Sequence, residues 1–151
     1  MLPNHKKEIM VLWKYYKRAV LRPSVWVIIG GILFSTIYNH TYKSEWYSAD
    51  TVIFMDFVYT LIMSFIICLF TASILLNMFV KVKQSIFLSG ISWLLVPISF
   101  IAYTWWHQFT HYFKKSAGAT DGLIFHLFIT TPFIISLVWS FISYRKSHVQ
   151  N

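Results

Sequence analysis

Polar and apolar positions fall in long blocks along this chain. Four runs, 23–42, 57–80, 84–113 and 122–144, contain no Asp, Glu, Lys or Arg. A helix needs roughly 20 mainly apolar residues to cross a bilayer, and each run reaches that length. None has a charged face at helical spacing, so helices built from them offer no surface to water. The pattern predicts an all-α, polytopic integral membrane protein. It is a four-transmembrane-helix bundle forming one domain over 1–151, with spans at about 24–40, 52–80, 86–113 and 123–144.

A different pattern precedes the first run. Over 4–22, Ile9, Leu12, Trp13, Tyr16 and Val20 share one helical stripe, and Lys7, Lys14, Lys17 and Arg18 lie on the other side. That is the pattern of an amphipathic interfacial helix at the headgroups. Its basic residues are candidate contacts for the membrane surface or for a partner. Arg22-Pro23-Ser24 predicts a break before the first span, because proline suits a helix's first turn. No apolar block with a small-residue cleavage site occupies this region, so the first span is expected to act as its own insertion signal.

Composition and charge sharpen this picture. The 151 residues are 57% hydrophobic and only 12% charged, against about a quarter charged in a soluble domain. Net charge is +8, which in a soluble chain raises nucleic acid as a partner. Here the placement of charge gives another reason. Six of the 13 Lys and Arg precede residue 23, Lys81 and Lys83 join spans two and three, and Arg145 and Lys146 follow span four. Only Lys43, Lys114 and Lys115 fall on the other side. The positive-inside bias then places both termini in the cytoplasm of a multi-pass cell-membrane protein. The expected partner of the basic residues is the lipid bilayer, with no nucleic acid. The lone Cys68 lies in mid-span and forms no intramolecular disulfide.

Within the spans, polar residues are few. Gly30, Gly31 and Ser35 predict close helix approach. Asn77 is expected to hydrogen-bond a neighbouring helix, and Pro97 and Pro132 to kink theirs. Heights follow from a rise of about 1.5 Å per residue. His107 and His111 then lie roughly 32 and 38 Å above Ile86, Asp56 roughly 36 Å above Val80, and His126 roughly 27 Å above Tyr144. Extrapolated at about 100° per residue, Ser89, Ser92, Ser99, Tyr103, His107 and His111 share one face of the third helix. His126, Thr130, Ser136, Ser140 and Ser143 share one face of the fourth. Asp56, Thr60, Ser64, Cys68 and Ala72 form a row on the second. Unpaired polar groups in hydrocarbon are costly, so these faces are expected to meet. Asp56, His107, His111 and His126 would then form a polar cluster near the outer surface.

Such a cluster carries three chemistries. Histidines at i and i+4 share a helix face, so His107 and His111 are candidate ligands for a transition-metal cofactor. Histidine also relays protons near neutral pH. In the simplest case the residues only decorate the rim, as Trp105 and Trp106 do. With five acids in all, the chain has little for acid–base catalysis. The leading expectation is a non-enzymatic four-span membrane subunit that forms a homo-oligomer or anchors a partner protein. The membrane component of a bacterial defence, toxin-immunity or transport system fits that description. The alternatives are a small transporter or channel using the polar faces and Asp56, and a metal-dependent membrane enzyme at the outer cluster.

Overall fold

A computed structural model describes residues 3–39, 48–114 and 119–148, with side-chain surroundings for 8–38, 48–110 and 122–147. Within these, the chain is helical apart from its corners. The order is α1 (Pro3–Tyr16), a π turn (Lys17–Leu21), α2 (Arg22–Asn39), α3 (Ala49–Thr71), a 3₁₀ segment (Ala72–Met78), α4 (Val80–Gln84), α5 (Ile86–Gly90), a second π turn (Ile91–Leu95), α6 (Val96–Lys114) and α7 (Ala119–His148). Four stretches are long and apolar enough to span: Glu8–Tyr38, Ala49–Met78, Ile86–Thr110 and Gly122–Ser147. The chain is a multi-pass membrane protein. Each span packs on its neighbours in sequence, and α7 closes the ring against α2.

The predicted break at Arg22-Pro23-Ser24 is not observed. The amphipathic N-terminal helix is present, but it runs on into the first span. The reason lies in how proline is accommodated. Pro23 has no N–H for the carbonyl four residues back, and its ring crowds that turn. The π turn widens the helix just before it, and the Arg22 N–H reaches the Lys17 carbonyl, five residues back. Ser24 Oγ donates to the Val20 carbonyl at 2.8 Å. The helix continues with Leu12, Tyr15, Ala19, Val20, Ser24 and Val27 buried against the bundle. Ile9 and Trp13, expected on that stripe, are 42% and 45% exposed.

The second π turn stands in the same relation to Pro97 as the first to Pro23, ending two residues before it. A π turn inserts a residue into the α-helical register. Everything above it turns by about one residue's rotation, roughly 100°, from a straight extrapolation. Pro132 differs: it sits inside an uninterrupted α7. There Thr130 and Thr131 hydroxyls donate to the His126 and Leu127 carbonyls at 2.8 and 2.7 Å.

Small residues set the α2–α3 seam. A Cβ on Gly31 would stand 3.3 Å from Thr60 Oγ1, so Thr60 would have to give by a few tenths of an ångström, and glycine favours the close approach of the two backbones here. One step along the antiparallel register, Ser35 Oγ donates to Asp56 Oδ2. Lower down, Ser24 Oγ lies 3.6 Å from Cys68 Sγ. The row Asp56, Thr60, Cys68 therefore faces the first helix rather than an axis shared with the third and fourth. Ala72, the row's last member, is exposed.

At the other end of the second span, Phe79 and Ser85 are extended corners flanking α4. The hairpin is pinned by Asn77, 1% exposed. Asn77 Nδ2 donates to Ser92 Oγ at 2.6 Å, and its Oδ1 accepts from Ser89 Oγ at 2.7 Å. The expected interhelical bond is thus made. Ser73 Oγ adds a bond to the Ser92 carbonyl at 2.6 Å. Glu8 pairs with Lys83 at 3.2 Å, and Arg145 Nη1 donates to the Lys83 carbonyl at 2.8 Å. The first helix, the hairpin link and the end of α7 therefore meet at one end. Above them, the Trp93 ring stacks on Tyr144 at 5.3 Å, and Tyr15 meets both edge-on. Asn77→Leu leaves the Ser89 and Ser92 hydroxyls without their side-chain partner. It should reduce stability by about 1–3 kcal/mol, read as a lower unfolding midpoint of the purified protein in mild detergent. An unchanged midpoint would show that the serines re-pair at no cost.

Candidate functional site

The polar centre of the opposite half is built on His126, which is fully buried in α7. Tyr59 from α3 and Thr104 from α6 approach the two sides of its ring. The Tyr59 hydroxyl lies 2.6 Å from Nδ1, and Thr104 Oγ1 lies 3.1 Å from Nε2. Counting hydrogens assigns the direction of each bond. Thr104 has one hydroxyl hydrogen, and it is donated to the Ile101 carbonyl at 2.7 Å. Its oxygen therefore accepts from Nε2–H. In a neutral imidazole the other nitrogen is then an acceptor, so Tyr59 O–H donates to Nδ1.

The backbone of the same residue carries a second chain. Thr130 Oγ1 donates to the His126 carbonyl at 2.8 Å, and Trp105 Nε1–H donates to Thr130 Oγ1 at 2.8 Å. Tyr59, Thr104, Trp105, His126 and Thr130 thus tie three helices with every donor directed. Phe125 packs beside Tyr59 with ring centroids 6.4 Å apart, which keeps the knot apolar on that side.

Three of the four side chains of the expected cluster, those of Asp56, His107 and His126, are described. Asp56 is half-buried on the same helix as Tyr59, but Ser35 of α2 holds its carboxylate. His107 is exposed. His111 lies in α6, and its side chain falls outside the described ones, as does that of Lys7. Lys43 and the 115–118 stretch lie outside the described residues. Among those described, no three His, Cys, Asp or Glu side chains converge as a metal group. His107 is exposed on α6 while His126 is buried in α7, so these two rings do not share one buried face.

The physical reason is the π turn at Ile91–Leu95. Ser89 below it and Ser92 within it are buried as expected; above it, Ser99, Tyr103 and His107 face outward. The inward stripe becomes Pro97, Ile101, Thr104 and Trp105. Thr104 and Trp105 were overlooked because a straight helical wheel turns them away from the centre. Tyr59 was overlooked because it stands beside the small-residue row rather than on it. The available signal was Pro97 following a stretch with Ser92 and Trp93.

No family model, curated protein or solved structure matches this chain. Chemistry therefore rests on the geometry alone. Both ring nitrogens of His126 are engaged by hydroxyl groups, an arrangement that orients three helices.

A second polar feature lies on the outer surface of the first helix. Lys14, Lys17 and Arg18, all exposed, line a groove with Arg22 and Trp26. Lys17 Nζ sits 5.6 Å from the centre of the Trp13 ring, and Trp13 stacks on Tyr16 at 5.2 Å.

Removing the ring in His126→Ala strands the Tyr59 and Thr104 hydroxyls and opens a cavity. The expected loss is about 2–4 kcal/mol. Tyr59→Phe, which strands Nδ1 and removes the hydroxyl's bond with Gln108, should cost about 1–2 kcal/mol. Tyr103→Phe on the outward face should change stability by less than about 0.5 kcal/mol. Thermal unfolding in detergent ranks the three. A Tyr103 effect as large as that of Tyr59 would contradict the rotation above the π turn.

Proposed function

We propose that the chain is a non-enzymatic four-span membrane subunit. It associates with copies of itself or with a partner protein, and both termini face the cytosol of a cell membrane. The observation that carries this reading is how the interior polar groups are used. His126 is held by Tyr59 and Thr104, Asp56 by Ser35, and Asn77 by Ser89 and Ser92. Each of these links joins two helices. Polar groups used in this way serve assembly of the bundle, since hydrocarbon penalises any group left unpaired.

The charge pattern supports the orientation. Ten of 13 Lys and Arg lie at the end carrying both termini or on the adjoining first helix, as the positive-inside rule requires of a cytosolic face. A membrane component of a bacterial defence, toxin-immunity or transport assembly is the setting this reading fits.

Native mass spectrometry of the detergent-solubilised full chain, paired with ion-flux assays in liposomes, tests it. The expected result is a defined oligomer or a stoichiometric partner, with no flux above that of empty liposomes. A clean monomer without a partner would overturn the proposal. So would flux that disappears in Asp56→Asn, which would identify a transport path along the α2–α3 seam instead.

A further inference from the structure

The basic groove on the first helix lies too deep in the bundle to be an ordinary surface patch. Glu8, Lys83 and Arg145 mark the end of the molecule that carries both termini. Lys14, Lys17, Arg18 and Arg22 follow Glu8 along one helix, roughly 9, 14, 15 and 21 Å further on at 1.5 Å per residue. Contacts to other helices confirm the depth. The Arg18 carbonyl accepts from Ser136 Oγ at 3.0 Å, and Ser136 lies nine residues before Arg145 on α7. The neighbouring Tyr16 hydroxyl donates to the carbonyl of mid-span Cys68 at 2.9 Å.

The first span has 31 residues, about 46 Å of helix against a hydrocarbon core of about 30 Å. The Arg18 carbonyl is level with Ser136, which lies eight residues, roughly 12 Å, inside the uncharged run of α7 that ends at Tyr144. Arg18 and Arg22 thus leave the helix within the apolar part of the bundle. Cations at that depth are strongly unfavourable against hydrocarbon unless they reach the interface or an anion. The groove has a volume of about 830 Å³ and no Asp or Glu in its lining. Glu8, the nearest acid along the helix, is already paired with Lys83.

We infer that this groove binds an anionic phospholipid of the leaflet on the terminal side. The phosphate sits among Lys14, Lys17, Arg18 and Arg22, and an acyl chain runs along Leu21, Val25 and Trp26. Two observations select a lipid over an acidic helix of another protein. First, the lining passes along one helix from a mixed cationic and aromatic end to a purely apolar end at Val25 and Trp26. A phospholipid has that order of chemistry along its length. Second, Lys17 folds back over Trp13, toward the terminal end, as a snorkelling cation does when it meets headgroups. Trp26, 72% exposed, offers its ring to the chain below.

The inference rests on the four-span membrane reading, and the test separates the two. The full chain is reconstituted in nanodiscs of phosphatidylcholine and phosphatidylglycerol with matched chains. It is then released into detergent, and bound lipid is counted by native mass spectrometry. Phosphatidylglycerol should be retained about tenfold over phosphatidylcholine. The preference should vanish in Lys14→Gln/Arg18→Gln and persist in Lys81→Gln/Lys146→Gln, which removes the same charge elsewhere. Glycerol phosphate without acyl chains should fail to displace the lipid.

Equal retention of both lipids by the wild type would overturn the groove while leaving the spans intact. Equal loss in both variants would reduce the effect to net charge and would also overturn it. An acidic membrane protein retained in place of lipid would do the same. Failure of the chain to enter nanodiscs would overturn the membrane reading itself.

Discussion

Hydrocarbon supplies no hydrogen-bond partner, so a polar group left unpaired within the spans is costly, and among the described side chains only Ser64 Oγ, Trp93 Nε1 and Ser140 Oγ are buried without one. That constraint explains most of the irregular features of this bundle. Proline removes a backbone donor in the middle of a helix. Twice the chain responds with a π turn two residues earlier, before Pro23 and before Pro97. At Pro132 the helix stays regular, and threonine hydroxyls occupy neighbouring carbonyls. At Pro23 and Pro97 the helices thus depart from ideal geometry just before the missing donor.

The departures then decide which side chains meet. Above Ile91–Leu95 the third helix is rotated, so His107 faces outward and Thr104 inward. Thr104 takes one side of the His126 ring and Tyr59 the other. A single inserted residue thus places Thr104, rather than His107, in a hydroxyl–imidazole–hydroxyl bridge on His126. Nothing in the composition of the third helix changes; only its phase does.

This explains which parts of the architecture were legible in advance. Four uncharged runs locate four spans, because length and apolarity are properties of composition and survive any local change of register. Gly31 and Asn77 were legible for a similar reason: each acts where it stands, by approach to Thr60 or by bonding to Ser89 and Ser92. The polar faces were less legible. Extrapolating from Ser89 to His107 crosses a π turn, and an error of one residue in phase moves a side chain from the centre to the outside. The break expected at Pro23 failed for the same reason. Proline was read as a boundary, while the helix absorbs it by widening.

The same phase argument links the two halves of the first helix. On a straight α-helix a stripe through Ile9, Leu12 and Tyr16 drifts away from the one through Ser24, Gly31 and Ser35. The π turn at Lys17–Leu21 brings Leu12, Tyr15, Ala19 and Val20 into line with Ser24 and Val27 on the buried side. Turning that side inward leaves Lys14, Lys17, Arg18 and Arg22 together on the outer side. The basic groove is thus the counterpart of the buried seam, produced by the same inserted residue. Cations that composition alone would assign only to topology thus form a row on the outer side of the first helix, beside Val25 and Trp26.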